Sequence, residues 1–371
     1  MPAKLRCLKL SLLPLFGAPL LVQAAPVYSL TALGMLPGSA YSQPLGMNNH
    51  GDVVGRSIGA QSTAYLYAGG AMTSLGTLGG SSSQASGIND AGTAAGYSTL
   101  ADNTTSRAFR ASGGTLTALG TLGGADSYGT AINNAGMIAG SANTADNALH
   151  AVTWTGAAIS DLGTLGGAAS AAAGINDTGM VTGTAQLASG FYHAFQYAGG
   201  VMQDLGTLGG TASDAWAINA TGAVTGYSYV SGDTGTHAFL YSAGMLSDLG
   251  TLGGADSYGY GINGAGSVVG GSIVASGDQH AFIYSAGVIT DLNSLIDPSL
   301  GLTLTFASAI NDSGQIAAEA CGANGQRCQS VLLSLDVTDP NDVPEPASFT
   351  AVAAALGLAG MMRRRTLRRR R

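Results

Sequence analysis

The hexapeptide Leu-Gly-Thr-Leu-Gly-Gly occurs unchanged at 75–80, 119–124, 162–167, 205–210 and 249–254. Degraded copies, Leu33-Gly34-Met35-Leu36-Pro37-Gly38 and Leu292-Asn293-Ser294-Leu295, extend the series. The leading leucines lie 42, 44, 43, 43, 44 and 43 residues apart. A fixed period of that size means one supersecondary unit repeated, in an array whose neighbours bury one another's apolar faces. With 58 glycines and only 9% charge the chain could be low-complexity, but 46% apolar content in regular patterning argues for a packed core.

One unit shows what repeats. His237-Ala238-Phe239-Leu240-Tyr241 is a short aromatic strand and Ser242-Ala243-Gly244 a turn. Met245-Leu246-Ser247-Asp248-Leu249 is a second strand, and the hexapeptide carries the chain onward. Tyr258-Gly259-Tyr260-Gly261-Ile262 is a third strand, Asn263-Gly264-Ala265-Gly266 a turn, and Ser267-Val268-Val269-Gly270 a fourth strand. Four short strands in about 43 residues is the content of a β-propeller blade. A β-solenoid would show rungs nearer 20–30 residues, and no such sub-period is present.

Counting the parts predicts the closure. Seven asparagine turns (Asn48, Asn89, Asn133, Asn176, Asn219, Asn263, Asn311) match seven versions of the His-Ala-Phe strand, starting at Thr63, Arg107, His150, His193, His237, His280 and Gln329. The last version has no partner strand after it, whereas the chain begins with an orphan partner, 27–33. The expectation is an all-β, seven-bladed β-propeller over 25–337, closed by its N-terminal strand so that no sheet edge is left there.

The phrase His-Ala-Phe, followed by Asp-Leu-Gly-Thr-Leu-Gly-Gly and Gly-Ile-Asn-Asp-x-Gly, resembles the HAF family of extracellular repeats over roughly residues 26–335. It is clear at 193–195, 237–239 and 280–282, weaker at 150–152 and 107–109, and poor in the outer units. The resemblance implies a secreted repeat protein without an established biochemical activity.

Four of the five histidines occupy one repeat position. His150, His193, His237 and His280 each have an aspartate eleven residues on: Asp161, Asp204, Asp248 and Asp291. Where His is absent so is Asp: Thr63 faces Ser74, Arg107 faces Ala118, and Gln329 is matched with Ala32. His opens one strand of a hairpin and Asp ends the other, so a cross-strand hydrogen bond, opposite across the ladder, is expected in each. Separate blades would hold these histidines too far apart for one metal ion. His50 sits in a turn without a recurring partner and reads as solvated.

The ends differ from the body. Lys4, Arg6 and Lys9 precede an apolar run, 10–22, and Val22-Gln23-Ala24 fits small-x-small cleavage, so 1–24 reads as a signal peptide, with an uncleaved anchor as the alternative. At the other end Val343-Pro344-Glu345-Pro346 precedes an apolar segment, 347–362, and an arginine tail, 363–371. That segment is a marginal transmembrane helix with a positive-inside flank. The order resembles the PEP-CTERM sorting signal of Gram-negative bacteria that make exopolysaccharide, with Pro344, Glu345 and Pro346 matching its motif. The resemblance implies export across the inner membrane, handling by an exosortase after the Sec machinery and signal peptidase, and cleavage near the motif. Release or anchoring at the cell surface would follow. A permanent tail anchor is the alternative. Between the ends stand twenty acids and four bases, a net of −16, which would repel phosphate backbones, so no nucleic-acid partner is expected. Cys321 and Cys328 are an even pair in an exported chain, which favours a disulfide over two buried thiols or a metal site.

The sequence contains no His-Glu-x-x-His, no Cys-x-x-Cys and no P-loop lysine. No catalytic residue or cofactor is assigned. Two sets of loops would share one face and gather Asp102, Asp146, Asp233 and Asp278 with Asp126, Asp214 and Asp256. Carboxylates suit Ca²⁺, which would permit weak cation-bridged adhesion to extracellular polysaccharide; turn formation and solubility are the plainer explanation. The leading expectation is a non-catalytic structural or binding module of the exopolysaccharide matrix. The alternative is a propeller glycan lyase or hydrolase with an Asp-lined pocket.

Overall fold

Short runs of β-branched, aromatic and small residues, cut by Gly and Asn turns, produce strands throughout. The computed structural model describes residues 28–322, 325 and 327–336, and among them there are 28 strands, three short 3₁₀ turns and no α-helix. The expected signal peptide, the Pro344-Glu345-Pro346 motif, the apolar segment 347–362 and the arginine tail lie outside the described residues. No helix among the described residues is long and apolar enough to cross a membrane.

The strands group into seven four-stranded antiparallel units. Blade 7 is split between the chain ends, with β1 (Tyr28–Gly34) joined by β26–β28 below. Blade 1 is β2–β5 (Ser39–Met47, Val53–Gly59, Ser62–Ala68, Ala71–Gly76), and blade 2 is β6–β9 (Gly79–Ile88, Ala94–Leu100, Ser106–Ser112, Thr115–Ala118). Blade 3 is β10–β13 (Gly123–Ile132, Ile138–Thr144, Leu149–Thr155, Ala158–Asp161), and blade 4 is β14–β17 (Gly166–Ile175, Val181–Leu187, Tyr192–Ala198, Val201–Asp204). Blade 5 is β18–β21 (Gly209–Ile218, Val224–Val230, Thr236–Ser242, Met245–Asp248), and blade 6 is β22–β25 (Gly253–Ile262, Val268–Val274, Gln279–Ser285, Val288–Asp291). β26–β28 (Thr303–Ile310, Ile316–Cys321, Gln329–Leu335) complete blade 7, in the spatial order β1-β28-β27-β26. A single parallel bridge, Ser62 to Ser82, touches blade 1 to blade 2. β1 runs antiparallel to β28, with Tyr28 opposite Leu335 and Ala32 opposite Val331, so the N-terminal strand completes the last blade.

The hexapeptide does more than cross between blades. The expected third strand began only at Tyr258, but β22 begins at Gly253, inside the hexapeptide. Gly253 has φ +103°, which turns the chain into the strand, and a Cβ on Gly254 would meet the Ile273 carbonyl oxygen at 2.5 Å. The two glycines are therefore required for different reasons, one conformational and one steric.

Two sets of side chains tie blade to blade. A serine five residues before the end of most inner strands reaches the preceding blade. Ser170 Oγ accepts from Ala151 N at 2.8 Å and donates to the Gly163 carbonyl at 2.6 Å. Ser42 does the same across the closure, accepting from Ser330 N (2.9 Å) and donating to Gly34 O (2.8 Å). The second set is the seven turn asparagines, all buried. Each Nδ2 donates to the backbone carbonyl of the asparagine in the next blade: Asn48 to Asn89, and on through Asn133, Asn176, Asn219, Asn263 and Asn311. Asn311 then donates to Asn48 O at 3.3 Å and closes the circle. Each Oδ1 meanwhile accepts from its own turn, as Asn133 Oδ1 does from Met137 N at 2.9 Å.

The apolar core lies between blades. Phe195 of blade 4, fully buried, packs with Ala139 and Ala151 of blade 3. Small residues on one face and an aromatic on the next let adjacent sheets pack tightly. Cys321 and Cys328 are joined in a disulfide, their Cα atoms 4.0 Å apart.

Replacing Asn133 by Ala leaves the Met137 N–H without its partner and removes the interblade bond to the buried Asn176 carbonyl, which keeps only its turn bond from Gly179 N. The expected loss is about 2–4 kcal/mol in chemical denaturation at pH 7. Asn133→Asp keeps the acceptor but loses the donor, and should be as damaging at pH 7. A change below about 0.5 kcal/mol in both would contradict the bonding described.

Candidate functional site

The histidine–aspartate pairs meet in all four blades that carry them. His150, His193, His237 and His280 Nδ1 lie 2.9, 2.9, 2.8 and 2.7 Å from carboxylate oxygens of Asp161, Asp204, Asp248 and Asp291. Their register differs from the expected one. The residue directly across from each Asp is the one two after the His, as Phe239 is for Asp248, so the pair is diagonal. The same carboxylate also accepts a backbone N–H at the start of the hexapeptide, Gly250 N to Asp248 Oδ1 at 2.7 Å. In blade 1, where Asp is absent, Ser74 Oγ accepts from Gly76 N at 3.0 Å. Each pair thus clamps its own hairpin to the connector, and the four do not converge. His50 is exposed in its turn.

The proposed acidic loops do not form one set. Asp126, Asp214 and Asp256 lie on inner strands β10, β18 and β22, because those strands start earlier than the sequence suggested. They are half-buried and face the preceding blade. Asp126 accepts from Ser106 N (2.8 Å), Asp256 from Thr236 N (2.9 Å) and its hydroxyl (2.8 Å), and Asp214 from the Thr184 hydroxyl. Asp102, Asp146, Asp233 and Asp278 do lie in turns, where nearby hydroxyls and N–H groups occupy them. Asp102 accepts from Thr104 N and from the N–H and hydroxyl of Thr105, bonds that hold its carboxyl down to about 2. Asp146 accepts from Thr144, Asp233 from Thr211 and Asp278 from Ser276. Among the described residues the trio whose donor atoms could reach one ion is Glu319 with Cys321 and Cys328, and those sulfurs are bonded to each other.

The channel through the ring is the concave feature that all blades share. Inner strands end on Met47, Ile88, Ile132, Ile175, Ile218, Ile262 and Ile310, which line both axial cavities and so divide the axis. On the asparagine side the cavity is about 230 Å³. On the other side it is about 630 Å³. The residue before each Ile or Met is Gly or Ala: Gly46, Gly87, Ala131, Gly174, Ala217, Gly261 and Ala309. Crowding explains this, since a Cβ on Gly87 would lie 2.9 Å from the Ala131 Cα.

One step further up the larger cavity the blades stop resembling one another. Two residues before the Ile or Met stand Leu45, Ser86, Thr130, Ala173, Trp216, Tyr260 and Ser308, all lining that cavity. Four residues before stand Gln43, Gln84, Tyr128, Ala171, Asp214, Tyr258 and Phe306. Trp216 and Tyr260, on adjacent blades, stack with ring centroids 4.7 Å apart and planes 5° apart. Tyr227 meets Trp216 edge-on at 5.0 Å, and Phe306 meets Tyr260 at 5.9 Å, so one aromatic band spans blades 5, 6 and 7. A side pocket of about 400 Å³, lined by Gln43, Gln279 and Phe306, shares Leu45, Tyr260 and Ser308 with the larger cavity. Burial pushes the Tyr260 phenol up to about 12, which keeps it a hydrogen-bond donor. Burial also raises Asp214 to about 6, and it raises Glu319, which accepts from Thr305 Oγ1 at 3.0 Å. None of the channel aromatics was singled out in the sequence. The signal that could have found them is their divergence from the equivalent positions of other repeats.

No protein-family profile matches the chain, and no curated protein matches it. Among solved structures it is similar to the β-propeller domain of the trilobed protease from Pyrococcus furiosus, at 11% identity and a TM-score of 0.50, covering 82% of this chain and 99% of that one. It is also similar to a streptogramin B lyase (11% identity, TM-score 0.44, 83% and 98% covered) and to a gluconolactonase from Xanthomonas campestris (11%, 0.42, 84% and 92%). The first likeness shows the β-propeller fold and nothing beyond it.

The diagonal clamp predicts an asymmetric mutant pair. Asp248→Ala removes two hydrogen bonds and should cost more than His237→Ala, with a coupling of about 0.5–1 kcal/mol in the double-mutant cycle. Additive losses would contradict it. Asp214 has a folded value above its ordinary one, so its protonated form favours folding. That contribution is present below about pH 4 and is lost as pH rises through about 6. Asp214→Asn should remove this slope and be more stable than the unmodified protein at pH 7, by about 2–3 kcal/mol. Parallel stability profiles between pH 4 and 7 would contradict it.

Proposed function

We propose that this propeller is an exported protein of the cell surface or extracellular matrix that acts as a non-catalytic binding and structural module among exopolysaccharides. The observation that carries the binding role is the contrast inside the channel: the frame positions repeat from blade to blade, while the ring two residues before the terminal Ile or Met, which lines the larger cavity, does not. A pure spacer needs no such asymmetry. The groups gathered there, aromatic faces, amides and hydroxyls, hold ligands without transferring protons. Export and sorting are supported by the sequence at both ends, with 1–24 as signal peptide and Pro344-Glu345-Pro346 as the motif for an exosortase. Sec machinery and signal peptidase would act first.

A second reading, a glycan lyase or hydrolase, is favoured by one observation, the carboxyl group of Asp214 held at about 6 beside the aromatic band. It requires a second carboxylate at working distance. Asp214→Asn separates the two: loss of polysaccharide cleavage supports the enzyme, whereas retained glycan binding with no cleavage by either form supports the module.

Mass spectrometry of protein recovered outside the cell tests the sorting. The expected mature chain starts near Ala25 and ends near the Pro344-Glu345-Pro346 motif, without the arginine tail. An exported chain that retains Arg371 would overturn the processing.

A further inference from the structure

We infer that the larger channel cavity is a binding subsite for an uncharged pyranose unit of a glycan, stacked on the Trp216–Tyr260 wall and hydrogen-bonded from the facing Gln84 amide. The proposal rests on the module reading and gives it a ligand class and an address.

Internal comparison locates the site. The seven blades act as seven trials of one structural solution, so a position required by the frame shows the same residue class in each. The buried turn asparagine and the terminal Ile or Met behave this way. The channel-facing positions above them do not. Aromatics occupy three consecutive blades, 5 to 7, with a separate one, Tyr128, in blade 3, and glutamines occupy blades 1 and 2. The order of the asparagine bonds around the ring places blade 5 across from blades 1 and 2. The Trp216–Tyr260 wall therefore faces the amide of Gln84 across the cavity, and all three line it.

That pairing suits a sugar ring. A pyranose presents a face of C–H bonds, which packs on an aromatic plane, and a rim of hydroxyls, which both donate and accept. Gln84 donates to Ser86 Oγ at 3.2 Å through Nε2, which leaves its carbonyl oxygen directed to other donors. Gln43, in the adjoining side pocket, accepts from Arg56 Nε at 2.8 Å, so its NH₂ remains available as a donor to a ligand that reaches there. Together they supply both kinds of partner. The cavity, about 630 Å³, falls within the roughly 300–1,000 Å³ common for small-ligand sites. Charge sets the class further. The body of the chain carries twenty acids and four bases, so an anionic sugar would be disfavoured.

The two tryptophans of the chain make the test specific. Trp154 is buried between blades 2 and 3, donating to Gly120 O at 3.1 Å, while Trp216 lines the cavity. Purified secreted protein is titrated with neutral tetra- to hexasaccharides of glucose, galactose and mannose, with oligogalacturonate as the anionic comparison. Tryptophan emission and calorimetry are read together. The expected result is a saturable emission change and heat with at least one neutral series, and weaker binding of oligogalacturonate. Trp216→Phe should silence the emission change while heat remains, Tyr260→Ala should weaken binding by about tenfold, and Gln84→Ala by about fivefold. Gln84→Ala keeps the test open should Tyr260→Ala fail to fold. Absence of heat and emission change with every neutral series overturns the subsite, as does binding that neither Tyr260→Ala nor Gln84→Ala affects. Co-sedimentation of the unmodified protein with crude matrix polysaccharide reads the module separately: it can succeed where the subsite fails.

Discussion

A closed circle of seven side-chain hydrogen bonds holds the centre of this molecule together. Each asparagine in it meets two needs at once. Its Oδ1 satisfies N–H groups of a tight turn, and its Nδ2 gives the buried carbonyl of the next blade a second hydrogen bond beside the one from its own turn. No other short side chain carries a donor pair and an acceptor in that arrangement; aspartate lacks the donor, and serine lacks the reach. Buried polar groups are costly when unpaired, so the ring favours closure. Opening it at any one junction would break one interblade bond and leave an Nδ2 donor without its partner.

Around that circle the rest follows from crowding. Inner strands meet so closely at the axis that only Gly or Ala fits beside the terminal Ile, and apolar clusters fill each gap between neighbouring sheets. Serine staples and His–Asp clamps then fix each connector to the blade before it. The frame is over-determined and repeats. Function has room only where it stops repeating, at the channel-facing positions above the isoleucine ring and in the exposed turns.

Much of the frame was legible in the sequence because it is periodic. The 43-residue spacing, the seven asparagine turns and the orphan strand at the start led to a propeller closed by its N-terminus, and β1 pairs with β28 accordingly. The eleven-residue His–Asp spacing was visible as well, but the two-residue offset between partners depends on strand register, which the sequence does not display. The Gly-Gly pair looked like a loop, and that reading placed Asp126, Asp214 and Asp256 in loops too. In fact the glycines start a strand through an unusual φ, and these carboxylates turn toward the preceding blade. The serine staples were invisible because their partners are backbone groups of the previous repeat. The aromatic wall was hidden for another reason: Trp216 sits between two alanines and looks like an ordinary strand residue until seven inner strands are set around one axis.

Closure of the ring can be measured directly by native-state hydrogen exchange with mass spectrometry, comparing β1 with β11 and β28. A closed ring predicts that β1 amides exchange as slowly as those of β11, within about tenfold, because β1 opens only when the whole molecule unfolds. Exchange of β1 that is faster by about a thousandfold, with β11 and β28 still protected, would show a frayed strand on an open ring.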